Sequence, residues 1–122
     1  MDSEKLEIIS VDLTAKFATD TYTKIPIHSA KGLLRLLCFE PNQLVPLHKH
    51  PKADEYFLVI SGKGKVKIGN EETDAESGYI IRAPAGITHQ WRAKSERLTL
   101  LSVLVPPSSY RLADEAVKME FI

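Results

Sequence analysis

Apolar residues along this chain cluster in runs of four to eight or alternate with polar ones, which is the length and rhythm of strands rather than helices. Residues 33–39 form an apolar run of strand length that reads as covered on both faces. A short helix would fit the same run, but Gly32 before it and Pro41 after it favour a strand. Residues 55–60 are rich in aromatic and β-branched side chains; alternation puts Glu55, Phe57 and Val59 on one side and Tyr56 on the other. Residues 65–68 alternate charge with β-branched side chains, and Gly69-Asn70 behind them is a two-residue hairpin signal. Past the acidic stretch 71–76, Ser77-Gly78 opens a strand over 79–82. The turn 83–86 then leads into an extended 88–91, and 98–105 is a second continuous apolar run stopped by Pro106-Pro107. Upstream the patterning is weaker. Leu6, Ile8 and Ile9 fit a short strand, residues 25–28 an edge strand that tolerates Pro26, and His28 a solvated surface position. Residues 44–50 are expected to be extended, with Leu44, Pro46, His48 and His50 on one face. The one helix expected lies in the tail, where Ser109 can cap a segment with Leu112, Ala116 and Met119 on its apolar face.

About eight short strands with Gly/Pro-rich turns define an all-β fold, a sandwich or barrel of two packed sheets. At 122 residues the chain fits one domain, 1–122. Its core is expected over about 33–105, preceded by a strand segment (1–32) and followed by a tail (106–122). Apolar residues make up 43% and charged residues 26%, an ordinary globular composition. Sixteen basic residues balance sixteen acidic ones, so nothing suggests a nucleic-acid or anionic-membrane partner. No apolar run approaches the ~20 residues of a membrane span, and no secretory signal is visible, so the cytoplasm is the expected compartment. The single Cys38, flanked by Leu37 and Phe39, excludes an intrachain disulfide and reads as a small buried hydrophobe rather than a reactive thiol.

The chemistry-bearing stretch is 48–55. His48 and His50 are one residue apart, and Glu55 follows five residues later. On a strand, side chains at i and i+2 emerge from one face, about 6.5–7 Å apart at Cα. Two imidazoles from one strand and a carboxylate from the next make a metal chelate, and a solvated polar strand end is the plain alternative.

A second motif decides between these. Gly78 is followed by five residues, Pro84, one residue, Gly86, two residues and His89. That spacing resembles the second sequence motif of the cupin superfamily. His48, His50, Glu55 and Gly62 resemble the first, and the fifteen residues between Gly62 and Gly78 resemble the gap of small single-domain cupins. The resemblance spans roughly 40–105. Two positions depart from it. Asn42 stands where the motif has glycine, which asparagine can replace because it tolerates a left-handed backbone. Ala93 stands where an asparagine is usual, a position without a ligand role.

The resemblance implies a jelly-roll β-barrel with one divalent transition metal (Fe, Mn, Ni, Co, Cu or Zn) held by His48, His50, Glu55 and His89. Asp54 rivals Glu55, but the six residues from Glu55 to Gly62 favour Glu55. Around the metal, Trp91 shares the face of His89 and serves either as pocket wall or as core. Phe57 reads chiefly as core, and Arg82 either meets an anionic substrate or lies on the surface. The function expected first is a dioxygenase-like, metal-dependent enzyme on a small oxygen-bearing molecule, with Glu55 able to swing off as a base. Against it stand a non-catalytic small-ligand binding or sensing module and a sugar-phosphate isomerase or epimerase. The isomerase would need cations for phosphate, for which Lys49, Arg82 and Arg92 are the candidates. A homodimer is expected from the resemblance, and a chain this small with a loose N-terminal segment gains burial by packing across a partner.

Overall fold

Where the chain runs apolar or alternates, it forms strands. The computed structural model describes residues 6–28 and 32–106. Eight strands lie among them: β1 Thr23–His28, β2 Leu33–Phe39, β3 Asp54–Ser61, β4 Lys63–Ile68, β5 Glu71–Glu76, β6 Ile80–Ala83, β7 His89–Ala93 and β8 Leu98–Val105. One four-residue helix, α1 Val11–Thr14, precedes them. The strands make a five-stranded sheet in the order β1-β2-β8-β3-β6 and a three-stranded sheet in the order β5-β4-β7. Every pairing is antiparallel. Leu37, Phe39, Phe57, Val59, Leu98 and Leu100 of the larger sheet share one buried cluster with Val66, Ala75, Trp91 and Ala93 of the smaller. The two sheets therefore close face to face on a single apolar layer, the all-β jelly-roll arrangement.

The two apolar runs occupy the middle of the larger sheet. In β2 and β8, Leu36, Cys38 and Thr99 point away from the inner face and are nevertheless buried. Cys38 is thus a free, packed thiol. Strand β1 lies at the sheet edge, which is where Pro26, with no N–H to donate, can be accommodated.

One expectation needs correcting, and two features add to the reading. Leu6, Ile8 and Ile9 form no strand; Leu6 and Ile8 are 85% and 82% exposed, with no neighbouring strand to pair with. The described helix is N-terminal, and the Ser10 hydroxyl caps it by accepting from Leu13 N–H at 3.2 Å. The helix expected over the tail, with Ser109, Leu112, Ala116 and Met119, lies outside the described residues. The acidic stretch is a strand, β5, although its composition is poor for one. The register explains it: Lys63, Lys65 and Lys67 of β4 face Glu76, Asp74 and Glu72 of β5. Opposite charges directly across an antiparallel pair contribute about 0.2–1 kcal/mol each, enough to offset a weak intrinsic preference. Asp74 also accepts from Lys94 Nζ at 2.9 Å, tying the edge strand to the end of β7.

Gly62 shows why the first motif ends in glycine. It turns β3 into β4 with φ +88°, and a Cβ there would lie 2.0 Å from the carbonyl oxygen of Arg97. Gly78 also has a positive φ, +93°, but a Cβ on it would meet nothing within 4 Å. Asn42 takes the left-handed conformation expected of it, φ 69°. Gly78→Ala is therefore expected to cost about 1–2 kcal/mol of backbone strain. Gly62→Ala adds a backbone collision and is expected to cost about 4 kcal/mol or more. Urea unfolding of the two variants checks the difference, and equal midpoints would contradict it.

Candidate metal centre

The histidine pair does not sit on a regular strand. Between Gln43 and His50 the chain runs beside β7 and pairs with it only in pieces, at isolated bridges Leu44↔Arg92 and His48↔His89. Val45 N–H donates to the Trp91 carbonyl at 2.9 Å, His48 and His89 exchange backbone bonds at 3.1 and 2.7 Å, and Ala93 N–H donates to Gln43. Between the two bridges the register slips by one residue, with Pro46 inside the slip, and Pro51 closes the segment. The expected extended run is thus an interrupted strand margin. Its pairing makes His48 the cross-strand partner of His89, so the two motifs meet through the backbone before any side chain is considered. The His50 carbonyl accepts from Gly86 N–H at 2.9 Å, which fastens the second-motif turn beneath the first motif.

These constraints bring three imidazoles together. Ring centroids are 4.4 Å apart for His48 and His89, 5.0 Å for His48 and His50, and 5.2 Å for His50 and His89. Glu55, on the inward face of β3, completes the group. Its Oε1 lies 2.7 Å from His50 Nε2 and 3.1 Å from His89 Nε2. His50, Glu55 and His89 are buried and His48 is half-buried. Asp54, the rival carboxylate, points outward by strand alternation; it accepts from Arg82 at 3.1 and 3.2 Å and from Ala85 N–H at 2.8 Å.

One nitrogen or oxygen from each of the four residues can be chosen so that all lie within 4.8 Å of one another. Donors at about 2.1 Å from a shared ion stand about 3–4.2 Å apart, so small side-chain adjustments close the group on one ion. His48 Nδ1 lies 2.8 Å from the Pro46 carbonyl oxygen, an acceptor, which puts the proton on Nδ1 and leaves Nε2 with its lone pair. The cluster is compatible with a metal ion.

Sequence reasoning missed the groups behind Glu55. Arg35 of β2 donates to Glu55 Oε2 at 2.7 Å, and Ser102 Oγ of β8 donates to the same oxygen. Arg35 also reaches Ser102 Oγ at 3.4 Å. The signal was present: Arg35 is the one charge in the run 33–39, and Ser102 is one of only two hydroxyls in 98–105.

A small cavity opens beside the cluster. Phe57 and Trp91 line it, both 1% exposed and packed edge to face at 5.4 Å. They are core and wall at once. Lys24 and Arg35 line it too. Arg82 does not: paired opposite Tyr56, it faces outward and is held by Asp54. Lys49 and Arg92 are exposed as well, so none of the three cations considered for phosphate lines this cavity.

Burial, reinforced by the neighbouring His89, pushes His48 down to about 4. Burial alone would raise Glu55, but hydrogen bonds from His50 and His89 and the charge of Arg35 outweigh it and hold the carboxyl well below its usual range. Near neutral pH the cluster therefore offers His48 as a neutral imidazole beside a charged carboxylate.

The fold and the two motifs agree with the comparisons. The cupin domain family matches residues 35–104, more than half of the chain, and the chain belongs to that family. The uncharacterized protein SCO3923 of Streptomyces coelicolor is 38% identical over 56 residues, 46% of this chain and 53% of that protein. The match thus spans about half of that relative's length. The crystal structure of TT1209 from Thermus thermophilus superposes with a TM-score of 0.79 at 28% identity, over 83% of this chain and 98% of that one. A conserved Klebsiella pneumoniae protein with a double-stranded β-helix domain superposes with a TM-score of 0.80 at 23% identity, over 86% and 94%.

The depressed His48 carries a stability consequence. Its native value lies below the ~6.5 of an unfolded histidine, so between about pH 6.5 and 4 the unfolded chain takes up a proton that the native state refuses. Chelator-treated protein is expected to lose stability as the pH falls through that window. Urea midpoints at pH 7.5 and 5 check this, and in His48→Gln the difference is expected to shrink.

Proposed function

We propose that His48, His50, Glu55 and His89 hold one divalent transition metal, and that the chain acts on a small oxygen-bearing molecule as a dioxygenase-like enzyme. The observation that carries this is the convergence of three imidazoles and one carboxylate, from three separate stretches, on a mostly buried point beside a cavity. Imidazole and carboxylate donors suit Fe, Mn, Ni, Co, Cu or Zn. Such an ion, bound with a position open, supplies a Lewis acid for a substrate oxygen.

The chain's own residues supply the rest. Phe57 and Trp91 wall the cavity and exclude water. Trp91 Nε1–H is buried without a hydrogen-bond partner among the described residues, and a buried donor of this kind suits an oxygen acceptor on the ligand. Glu55 enters as the fourth donor. The swing that would free it as a base runs against its geometry, since Arg35 and Ser102 both hold Oε2. That same restraint favours the second reading, a module that binds its small ligand without turning it over. For the isomerase, the cations expected for phosphate lie outside the cavity.

We further propose that residues 1–122 work as one domain in the cytoplasm, a compartment supported by the lone, buried thiol of Cys38. Among the described residues no helix is long and apolar enough to cross a membrane. The homodimer is proposed through the outer face of the larger sheet. There Tyr56, Leu58, Ile80 and Val105 are 38%, 36%, 71% and 50% exposed on one side of β3, β6 and β8.

Protein purified without chelator is expected to carry close to one equivalent of transition metal by elemental analysis; less than about a tenth would overturn the metal site. Oxygen uptake by the iron- or manganese-loaded protein on dihydroxylated or β-diketone compounds supports the enzyme. Binding of such compounds with no turnover across the panel would replace it with the binding module. Light scattering is expected to give twice the chain mass, and a monomer mass would remove the dimer.

A further inference from the structure

We propose that Arg35 and Ser102 are positioning residues that lock Glu55 in one orientation, so that Oε1 alone is presented to the three histidines. This rests on the metal reading above and concerns groups that reading does not require. The two carboxylate oxygens of Glu55 have separate duties. Oε2 receives Arg35 Nη2 at 2.7 Å and the Ser102 hydroxyl, while Oε1 faces His50 at 2.7 Å and His89 at 3.1 Å. Arg35 also meets Ser102 Oγ at 3.4 Å, so the three side chains close a small ring across adjacent strands. Arg35 and Ser102 are direct partners in the β2–β8 register, and Ser102 is in turn opposite Phe57 on β3. The ring, Glu55 included, therefore sits on three neighbouring strands of one sheet rather than on a loop.

A plain structural ion pair would be the competing account, but it explains less. Arg35, Ser102 and Glu55 are 3%, 0% and 1% exposed, on inner faces otherwise filled by Leu37, Phe39, Phe57 and Leu100. Apolar residues of similar volume at such a place commonly match or exceed a buried ion pair in stability, so stability alone is a poor reason for the pair. Direction is a better one. A carboxylate held on one oxygen cannot rotate to offer both, and outer groups of this kind typically change metal affinity 10–100-fold when removed.

Cobalt(II) is the probe, because its affinity can be read by chelator competition and its geometry by ligand-field absorption. Ser102→Ala, which removes one hydroxyl and no charge, is expected to weaken Co²⁺ binding by about 10-fold and to shift the visible bands. Arg35→Met is expected to weaken it by about 100-fold, and Arg35→Lys to recover part of that loss, since lysine keeps the charge without the planar fork. Urea midpoints establish that each variant folds. If Arg35→Met does not, Ser102→Ala and Arg35→Lys decide. Wild-type affinity and spectrum in both would overturn the positioning role and leave the metal site standing. Absence of Co²⁺ binding by the wild-type protein would sink the metal site and this role together.

Discussion

Glu55 is the constraint around which the rest is arranged. A carboxylate that is 1% exposed is tolerated only if its charge is met by donors on every side. Here they come from Arg35 on β2, Ser102 on β8, His50 in the proline-bounded segment and His89 on β7. One anion thus ties the five-stranded sheet to the three-stranded one where the apolar cluster gives way to polar groups. Removing the Arg35 cation would leave this buried charge less well met, a larger penalty than the loss of an ordinary contact.

The aromatic layer beneath makes that arrangement useful. Phe57 stands 5.8 Å from His89 and 5.4 Å from Trp91, ring centroid to ring centroid, so the polar cluster rests on an edge-to-face stack. Electrostatic interactions at this place are less screened than at the surface. The same side chains that complete the hydrophobic core form the wall of the cavity, so packing and ligand access are set by one group of residues.

Much of this was legible in the chain itself. The strand runs at 33–39, 55–60 and 98–105 were readable because a buried strand must be apolar over a short length. Gly62 and Asn42 were readable because few residues adopt a left-handed backbone. His48, His50, Glu55 and His89 were recognisable as a group from spacing, and the fold does bring them together. What was not legible depended on partners distant in sequence. β5 has a composition poor for a strand until the lysines of β4 are placed across from it. Arg82 fits a substrate contact or a surface position until Asp54 is seen to pair with it on the exposed side. Arg35 and Ser102, 67 residues apart, become meaningful only in the β2–β8 register. The histidine pair has the spacing of a strand repeat, whereas the register slips beside Pro46 and β7 does the aligning.

The bridge between His48 and His89 has one more consequence, for folding. These residues are 41 positions apart, and their backbones must pair before their rings can share anything. No local segment can assemble the cluster early, because no hairpin contains it. The centre therefore depends on non-local pairing and on the docking of both sheets, the kind of contact that slows folding. A ligand captured there stabilises the closed barrel as a whole by mass action rather than one loop.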